Sequence, residues 1–292
     1  MKNFKKLALM GLTAVMSLSL LAACGGGNSG SAETPSGNTE TPSVENTETP
    51  AASGEFTTVE AGKLIMSTNA QFPPYGVVGD GEGYEGTGYE GIDVEIAYAI
   101  AEKLGLELVV DNMGFDAALQ AVQTGKSDIV MAGVTVTDDR LEVMDFSDTY
   151  ANGIQVVIVP ENSDIATIDD LEGKLIGCQM GTTGYIYCSD TPENGGYGED
   201  AVIPYDDGAA AVQALMNGQV DCVVIDNAPA QEYVKANPGL KILDTEFANE
   251  NYAIGFAKGN TALKDAVNAA LIELVEDGTV QSIIDKYIPA EG

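Results

Sequence analysis

Arg140 is the only arginine of the chain. The other 12 of its 13 basic residues are lysines, set against 45 acidic residues and no histidine. A guanidinium makes two parallel charge-assisted bonds to a planar carboxylate, which the point charge of lysine cannot copy. Capture of a carboxylate is one reading of Arg140; a structural ion pair with one of the many acids is the other. It closes the stretch Ala132-Gly133-Val134-Thr135-Val136-Thr137-Asp138-Asp139-Arg140. Three further stretches carry complementary groups. Asn69-Ala70-Gln71-Phe72-Pro73-Pro74-Tyr75 offers an amide and aromatic rings. Gln179-Met180-Gly181-Thr182-Thr183-Gly184 offers hydroxyl and N–H groups. Glycine lets a backbone approach an anion there and a helix start favours negative charge, although an ordinary capped helix reads the same way. Asp226, ahead of Asn227-Ala228-Pro229, offers a carboxylate that suits a helix N-cap as well as it suits a ligand.

Each stretch follows an apolar run that reads as a strand: Lys63–Thr68, Ile129–Ala132, Lys174–Cys178 and Asp221–Ile225. In open α/β sheets, ligands sit at strand ends of this kind. Helical patterns lie between the strands. Ile92, Ile96, Ile100 and Leu104 recur every four residues before Gly105, and Phe115, Leu119 and Val122 run up to Gly125. Thr137 is placed to cap a helix starting at Asp138, which sets Arg140 in its first turn. Asp145–Tyr150 runs extended into Ile154–Val159, and a second cycle begins with a short helix at Ile168–Leu171. Strand Val202–Tyr205 precedes a helix over Gly208–Asn217 with Val212, Leu215 and Met216 on one face. Strand Tyr252–Ala257 precedes helix Thr261–Glu276, with Leu263, Val267, Leu271 and Leu274 toward the core, and a last helix spans Val280–Tyr287. This alternation predicts an α/β fold of mostly parallel sheets flanked by helices.

The four strand ends together hold one cation, one anion, aromatic walls and free N–H and O–H groups. That set complements a free α-amino acid. Arg140 and N–H groups would take its carboxylate, and Asp226 with the Thr135 hydroxyl its ammonium. Buried charges need partners, and a zwitterion supplies both.

The N-terminus reads differently. Lys2, Lys5 and Lys6 precede the apolar run Leu7–Ala23, as in a secretory leader; the run is also close to the shortest length that spans a membrane. From Gly25 to Glu55 almost nothing is apolar and Glu-Thr-Pro recurs three times, the composition of a flexible tether, with a glycosylated stalk as the alternative. Without the three leader lysines, 10 basic residues face 45 acidic ones, a net charge of −35. Such a charge argues against nucleic acid as a partner. Cys178, Cys188 and Cys222 are an odd set, so at least one is free; a Cys178–Cys188 bridge and three buried thiols both fit. Gly81-Glu82-Gly83-Tyr84-Glu85-Gly86 matches the dinucleotide fingerprint in form, but its acids would repel a pyrophosphate. The acids of Gly79–Gly91 could instead meet a calcium ion. A solvated hairpin is the expectation there, with no metal and no cofactor.

From Lys63 to Tyr287 the sequence resembles the family 3 extracellular solute-binding proteins, the polar amino acid receptors of ABC importers. The stretches that carry the resemblance are Thr68–Tyr75, Gly91-Ile92-Asp93-Val94-Glu95-Ile96-Ala97, Ala132–Arg140, Asp145-Phe146-Ser147, Gly181-Thr182-Thr183 and Asp221–Asp226. The resemblance implies a two-lobed, periplasmic-binding-protein-like fold (type II) with two crossing hinge strands. Lobe 1 would be 56–151 plus 249–292 and lobe 2 would be 152–248. It implies that Arg140 grips an α-carboxylate with help from Thr183. Asp226 would take the ammonium, with Gly133 and Thr135 assisting. Phe72 and Phe115 would wall the side chain, and Asn69 and Gln179 would tune specificity. Ala132 and Thr182 complete the expected site. Receptors for cationic amino acids often carry Asp where this chain has Asn69, so the residue leans toward a neutral, glutamine-like ligand. Leu21-Ala22-Ala23-Cys24 resembles a bacterial lipobox, which implies a leader over 1–23, lipidation at Cys24 and a tether over 24–55. The expected setting is the outer face of the cytoplasmic membrane of a Gram-positive type cell, with a monomeric chain delivering its ligand to a permease.

Two other functions share this fold. A dehydratase-like or hydrolytic enzyme would have to work without histidine, a Ser/His/Asp set or a zinc motif. A ligand-sensing domain would need a transmembrane segment and a signalling domain.

Overall fold

A computed structural model describes residues 56–288. The leader, Cys24 and the tether lie outside the described residues. The chain enters through β1 (Lys63–Thr68) and a small antiparallel sheet of β2 (Gln71–Phe72), β3 (Gly76–Val78) and β4 (Tyr89–Glu90). Then come α1 (Ile92–Leu104), β5 (Glu107–Asn112), α2 (Phe115–Gln123), β6 (Ile129–Val130) and α3 (Asp138–Val143). The 17-residue β7 (Met144–Pro160) leads into a second set. That set is β8 (Ile176–Gln179), α4 (Thr183–Ser189), β9 (Val202–Tyr205), α5 (Gly208–Met216), β10 (Cys222–Asp226), α6 (Asn227–Ala236) and β11 (Leu240–Ile242). The chain returns along β12 (Ala248–Ala257) and ends in α7 (Thr261–Glu276) and α8 (Thr279–Tyr287).

Across the main sheet the order is β5-β1-β6-β12-β7-β10-β8-β9, with β11 also on β7. The block β5-β1-β6 is parallel, and so is β10-β8-β9. Between them β7 and β12 run antiparallel and stitch the two parallel blocks into one ladder. The pairing of β7 with β12 shifts twice, between Tyr252 and Ala253 and again between Ala253 and Gly255. Tyr252 opposes Ala151 but Ala253 opposes Thr149, which leaves Tyr150 as a bulge.

Period-two alternation explains how β7 and β10 serve two cores at once. Val157 and Val159 join Cys222 and Val224 in one cluster, and Val156 and Ile158 join Val223 and Ile225 in another. Two further clusters cover the faces of the first block. Ile92, Ile96 and Ile100 meet Leu263, Val267 and Leu271 on one side, and Phe115, Leu119 and Val122 pack on the other. The face read for Thr261–Glu276 is therefore the buried one.

Three local readings change, and one open alternative closes. Met216 is 48% exposed, because the buried stripe of α5 runs Gly208, Ala211, Val212, Leu215 and leaves Met216 on its flank. Ile168–Leu171 is a single 3-10 turn. Met131 and Ala132 stay buried but run past the ladder, so β6 is only two residues long. The Cys178–Cys188 bridge is not formed: all three cysteines of the globule are free and buried, packed as small hydrophobes in one core. Gly79–Gly91 does form a hairpin, with β3 and β4 paired around a 3-10 turn at Tyr84–Gly86.

Candidate functional site

The strand ends converge. All eleven residues singled out above line one cavity: Asn69 and Phe72 after β1, Phe115 at the start of α2, Ala132, Gly133 and Thr135 between β6 and α3, and Arg140 in the first turn of α3. Gln179 at the end of β8, Thr182 and Thr183 at the start of α4, and Asp226 at the end of β10 complete the set. The cavity volume is about 30 Å³, so its walls already lie close together.

Arg140 is 8% exposed. Thr137 caps α3 by accepting from the Arg140 N–H at 3.2 Å, which fixes the arginine in the first turn. Its guanidinium stacks on Phe115, 5.5 Å from the ring centre. Nη1 donates to the Thr135 carbonyl at 2.8 Å and Nη2 to the Gly181 carbonyl at 3.1 Å. Among the described residues it forms no ion pair with a carboxylate. The structural ion pair is therefore set aside. Burial lowers the guanidinium from its ordinary value, with Glu250 the strongest opposing influence, and it remains a cation.

Asp226 is the helix N-cap the sequence allowed, and it also lines the cavity. Its Oδ1 accepts from the Ala228 N–H at 3.0 Å and caps α6. Its Oδ2 accepts from the Tyr252 hydroxyl at 2.8 Å and the Ile154 N–H at 3.1 Å. Burial pushes the carboxyl up to about 6, and those bonds hold it back from rising further. A cation beside it would restore the ionised form.

The amides of Asn69 and Gln179 meet each other. Gln179 Nε2 donates to Asn69 Oδ1 at 3.0 Å, and Asn69 Nδ2 donates to the Met113 carbonyl at 3.0 Å. Phe72 stacks on Tyr75 with ring centres 5.4 Å apart. Gly133 has φ +58 and a Cβ there would meet Phe72 at 2.8 Å, so only glycine leaves that wall intact. Thr182 caps α4 through the Tyr185 N–H at 3.3 Å, and Thr183 is buried beside it.

Three polar wall residues were missed: Gln155, Glu250 and Tyr252. All come from the crossing strands β7 and β12. Glu250 Oε2 accepts from the Thr135 hydroxyl and from Gln155 Nε2, both at 3.0 Å. Its Oε1 is buried without a hydrogen-bond partner among the described residues. The signal was faint. Gln155 is a polar break inside the apolar run Ile154–Val159, and Glu250 lies just ahead of Tyr252–Ala257.

Fold and site together define a two-lobed α/β binding protein with opposite charges buried in one cavity. Residues 64–290 match the bacterial extracellular solute-binding proteins, family 3, and the chain belongs to that family. It is 33% identical over 232 residues to a probable histidine-binding protein of Neisseria gonorrhoeae, covering 78% of this chain and 83% of that one. It is 32% identical over 233 residues to the arginine-binding extracellular protein ArtP of Bacillus subtilis strain 168, covering 78% and 87%. Among solved structures, an ancestral arginine-binding protein bound to arginine superposes with a TM-score of 0.70 at 39% identity, covering 78% of this chain and 98% of that one. An ancestral arginine-binding protein bound to glutamine superposes with a TM-score of 0.69 at 38% identity, covering 78% of this chain and 99% of that one. No helix among the described residues is long and apolar enough to cross a membrane.

Proposed function

We propose that the protein is the extracytoplasmic binding component of an ABC importer and holds one polar amino acid in this cavity. The observation that carries this reading is the pair Arg140 and Asp226, buried opposite charges in one cavity with no ion pair among the described residues. In this reading Arg140 and Thr183 take the α-carboxylate, while Asp226 takes the ammonium with Gly133 and Thr135. Phe72 and Phe115 flank the side chain, Ala132 and Thr182 complete the walls, and Asn69 and Gln179 meet its far end. Segments 56–151 plus 249–292 and 152–248 act as the two closing lobes. The chain works as a monomer, is lipidated at Cys24 after loss of residues 1–23, and stands on its tether at the outer face of the membrane. It hands its ligand to a permease and catalyses no reaction.

For the side chain, the uncharged Asn69–Gln179 pair supports a neutral, glutamine-like ligand. A second reading has its own support. The cavity is lined by one basic side chain, Arg140, and two carboxyl side chains, Asp226 and Glu250, and Glu250 Oε1 has no hydrogen-bond partner among the described residues. A ligand with a cationic side chain would balance that excess. The names of the arginine- and histidine-binding relatives point the same way.

A thermal-shift screen against the twenty common amino acids, cystine and ornithine tests the proposal. A true ligand raises the melting point by mass action. A screen in which none of them does so sinks it.

A further inference from the structure

Asp93, in the first turn of α1, is fully buried and does not line the cavity. Its two oxygens serve different parts of the molecule. Oδ2 accepts from the Gly133 N–H at 2.9 Å, and Oδ1 from the Tyr150 hydroxyl at 2.6 Å. Gly133 is a cavity wall, and its carbonyl accepts no hydrogen bond among the described residues. Its N–H donates to Asp93, while its C=O has no donor among the described residues. Tyr150 is the bulged residue of β7, the strand that joins the two parallel blocks. A bulge re-aims a side chain, and this one points into the core beneath α1. Among the described residues, the titratable groups facing Asp93 are Tyr150 from β7 and Tyr75 from the loop before α1, and no cation faces it.

The geometry points to Asp93 as a positioning residue: it fixes the Gly133 peptide at the cavity wall and ties it, through Tyr150, to the crossing strand, so that ligand affinity follows the charge of a side chain the ligand never touches. The coupling has a physical route. An ammonium donating to the Gly133 carbonyl polarises that peptide and makes its N–H a better donor. A better donor favours the ionised carboxylate that receives it. Conversely, a protonated Asp93 keeps one oxygen as a weaker acceptor for the Gly133 N–H and turns the other into a donor, so the Tyr150 bond must reverse and the phenol proton gives up its acceptor. Burial already pushes this carboxyl up to about 7, while the Tyr150 and Gly133 bonds pull it down, so the switch lies in an accessible range of pH.

The test has one arm without ligand and one with it. The affinity arm rests on the amino-acid reading above; the other does not. In ¹⁵N-labelled ligand-free protein, the Gly133 amide resonance should titrate with a midpoint near 7. The titration should vanish in Asp93→Asn and move to higher pH in Tyr150→Phe, which removes a bond that favours ionisation. In calorimetry with L-glutamine and L-arginine as probes, wild-type affinity should weaken about tenfold from pH 8 to pH 5.5, one pKa unit of coupling. Part of that fall belongs to Asp226. The part lost in Asp93→Asn, and displaced upward in Tyr150→Phe, belongs to Asp93. A merely structural role would lower the melting point of both variants and leave their pH profiles like the wild type's. A Gly133 amide that is flat with pH overturns the inference, and so does a titrating amide with unchanged affinity profiles in the variants. A titrating amide together with no binding of any amino acid sinks the amino-acid reading and leaves the Asp93–Gly133 link standing.

Discussion

Gln179 and Asn69 form one buried amide pair across 110 residues of sequence, joining the end of β8 to the end of β1. In the proposed pose this pair meets the far end of the ligand side chain, so its charge sets a preference. Asn69→Asp should improve binding of arginine or lysine relative to glutamine by about tenfold, since hydrogen bonds to charged groups contribute about 1.5–3 kcal/mol. Glu250→Gln should move the ratio the other way by removing the excess negative charge. Competition binding with labelled ligands measures both. If the ratio stays fixed in both variants, neither position reads the side chain.

Arg140→Ala should weaken binding by about a hundredfold or more, because in the proposed pose the buried ligand carboxylate loses its cation. The fold should survive with a loss of about 1–2 kcal/mol, the order expected for two lost bonds to the Thr135 and Gly181 carbonyls. Calorimetry gives the first quantity and urea unfolding the second. Arg140→Lys keeps the charge but not the fork, and it should recover only part of the affinity.

Gly133→Ala tests the cavity wall without touching a charge. The left-handed φ of +58 and a contact of 2.8 Å with Phe72 both oppose a methyl group. A cost of about 1–2 kcal/mol in stability is expected, with Phe72 displaced into the cavity. Affinity should drop even where the variant is fully folded, as judged by circular dichroism.

Asp226 at about 6 and Asp93 at about 7 both lie above the range of a carboxyl in an unfolded chain, about 3.9. Between those limits the folded protein holds more protons than the unfolded one. These two groups therefore make stability fall as pH rises from about 4 to about 7, and their effect is complete above that range. A bound ammonium favours ionised Asp226 and offsets the loss. The rise in melting point caused by ligand should thus be larger at pH 8 than at pH 5. Melting curves with and without ligand at the two pH values decide this; a larger rise at pH 5 contradicts it.

What could be read from the sequence was whatever local physics determines. Thr137 caps α3 and places Arg140 in its first turn because a hydroxyl three residues ahead of an N–H is a local event. The stripe Leu263, Val267, Leu271 and Leu274 is buried because helical period dictates it. The alternation of strands and helices put four chemically suited turns at strand ends, and those ends meet. The residues that escaped depend on pairing between distant strands. Gln155 lies opposite Ala248 across β7 and β12, and Glu250 lies opposite Gly153. Nothing within ten residues of Glu250 says that its carboxylate will be buried against Thr135. Met216 failed for a smaller reason: its neighbours Ala211 and Leu215 define the buried stripe, and small residues weigh little when a face is read from side-chain size.

The solitary guanidinium also gives the molecule a built-in chemical address. A dicarbonyl reagent that condenses with arginine side chains has a single target in all 292 residues. That target is 8% exposed at the wall of the cavity. The rate at which Arg140 is derivatised is therefore a clock for how often the walls part, and its slowing by a small molecule is a readout of occupancy that needs no mutation, label or knowledge of the ligand in advance.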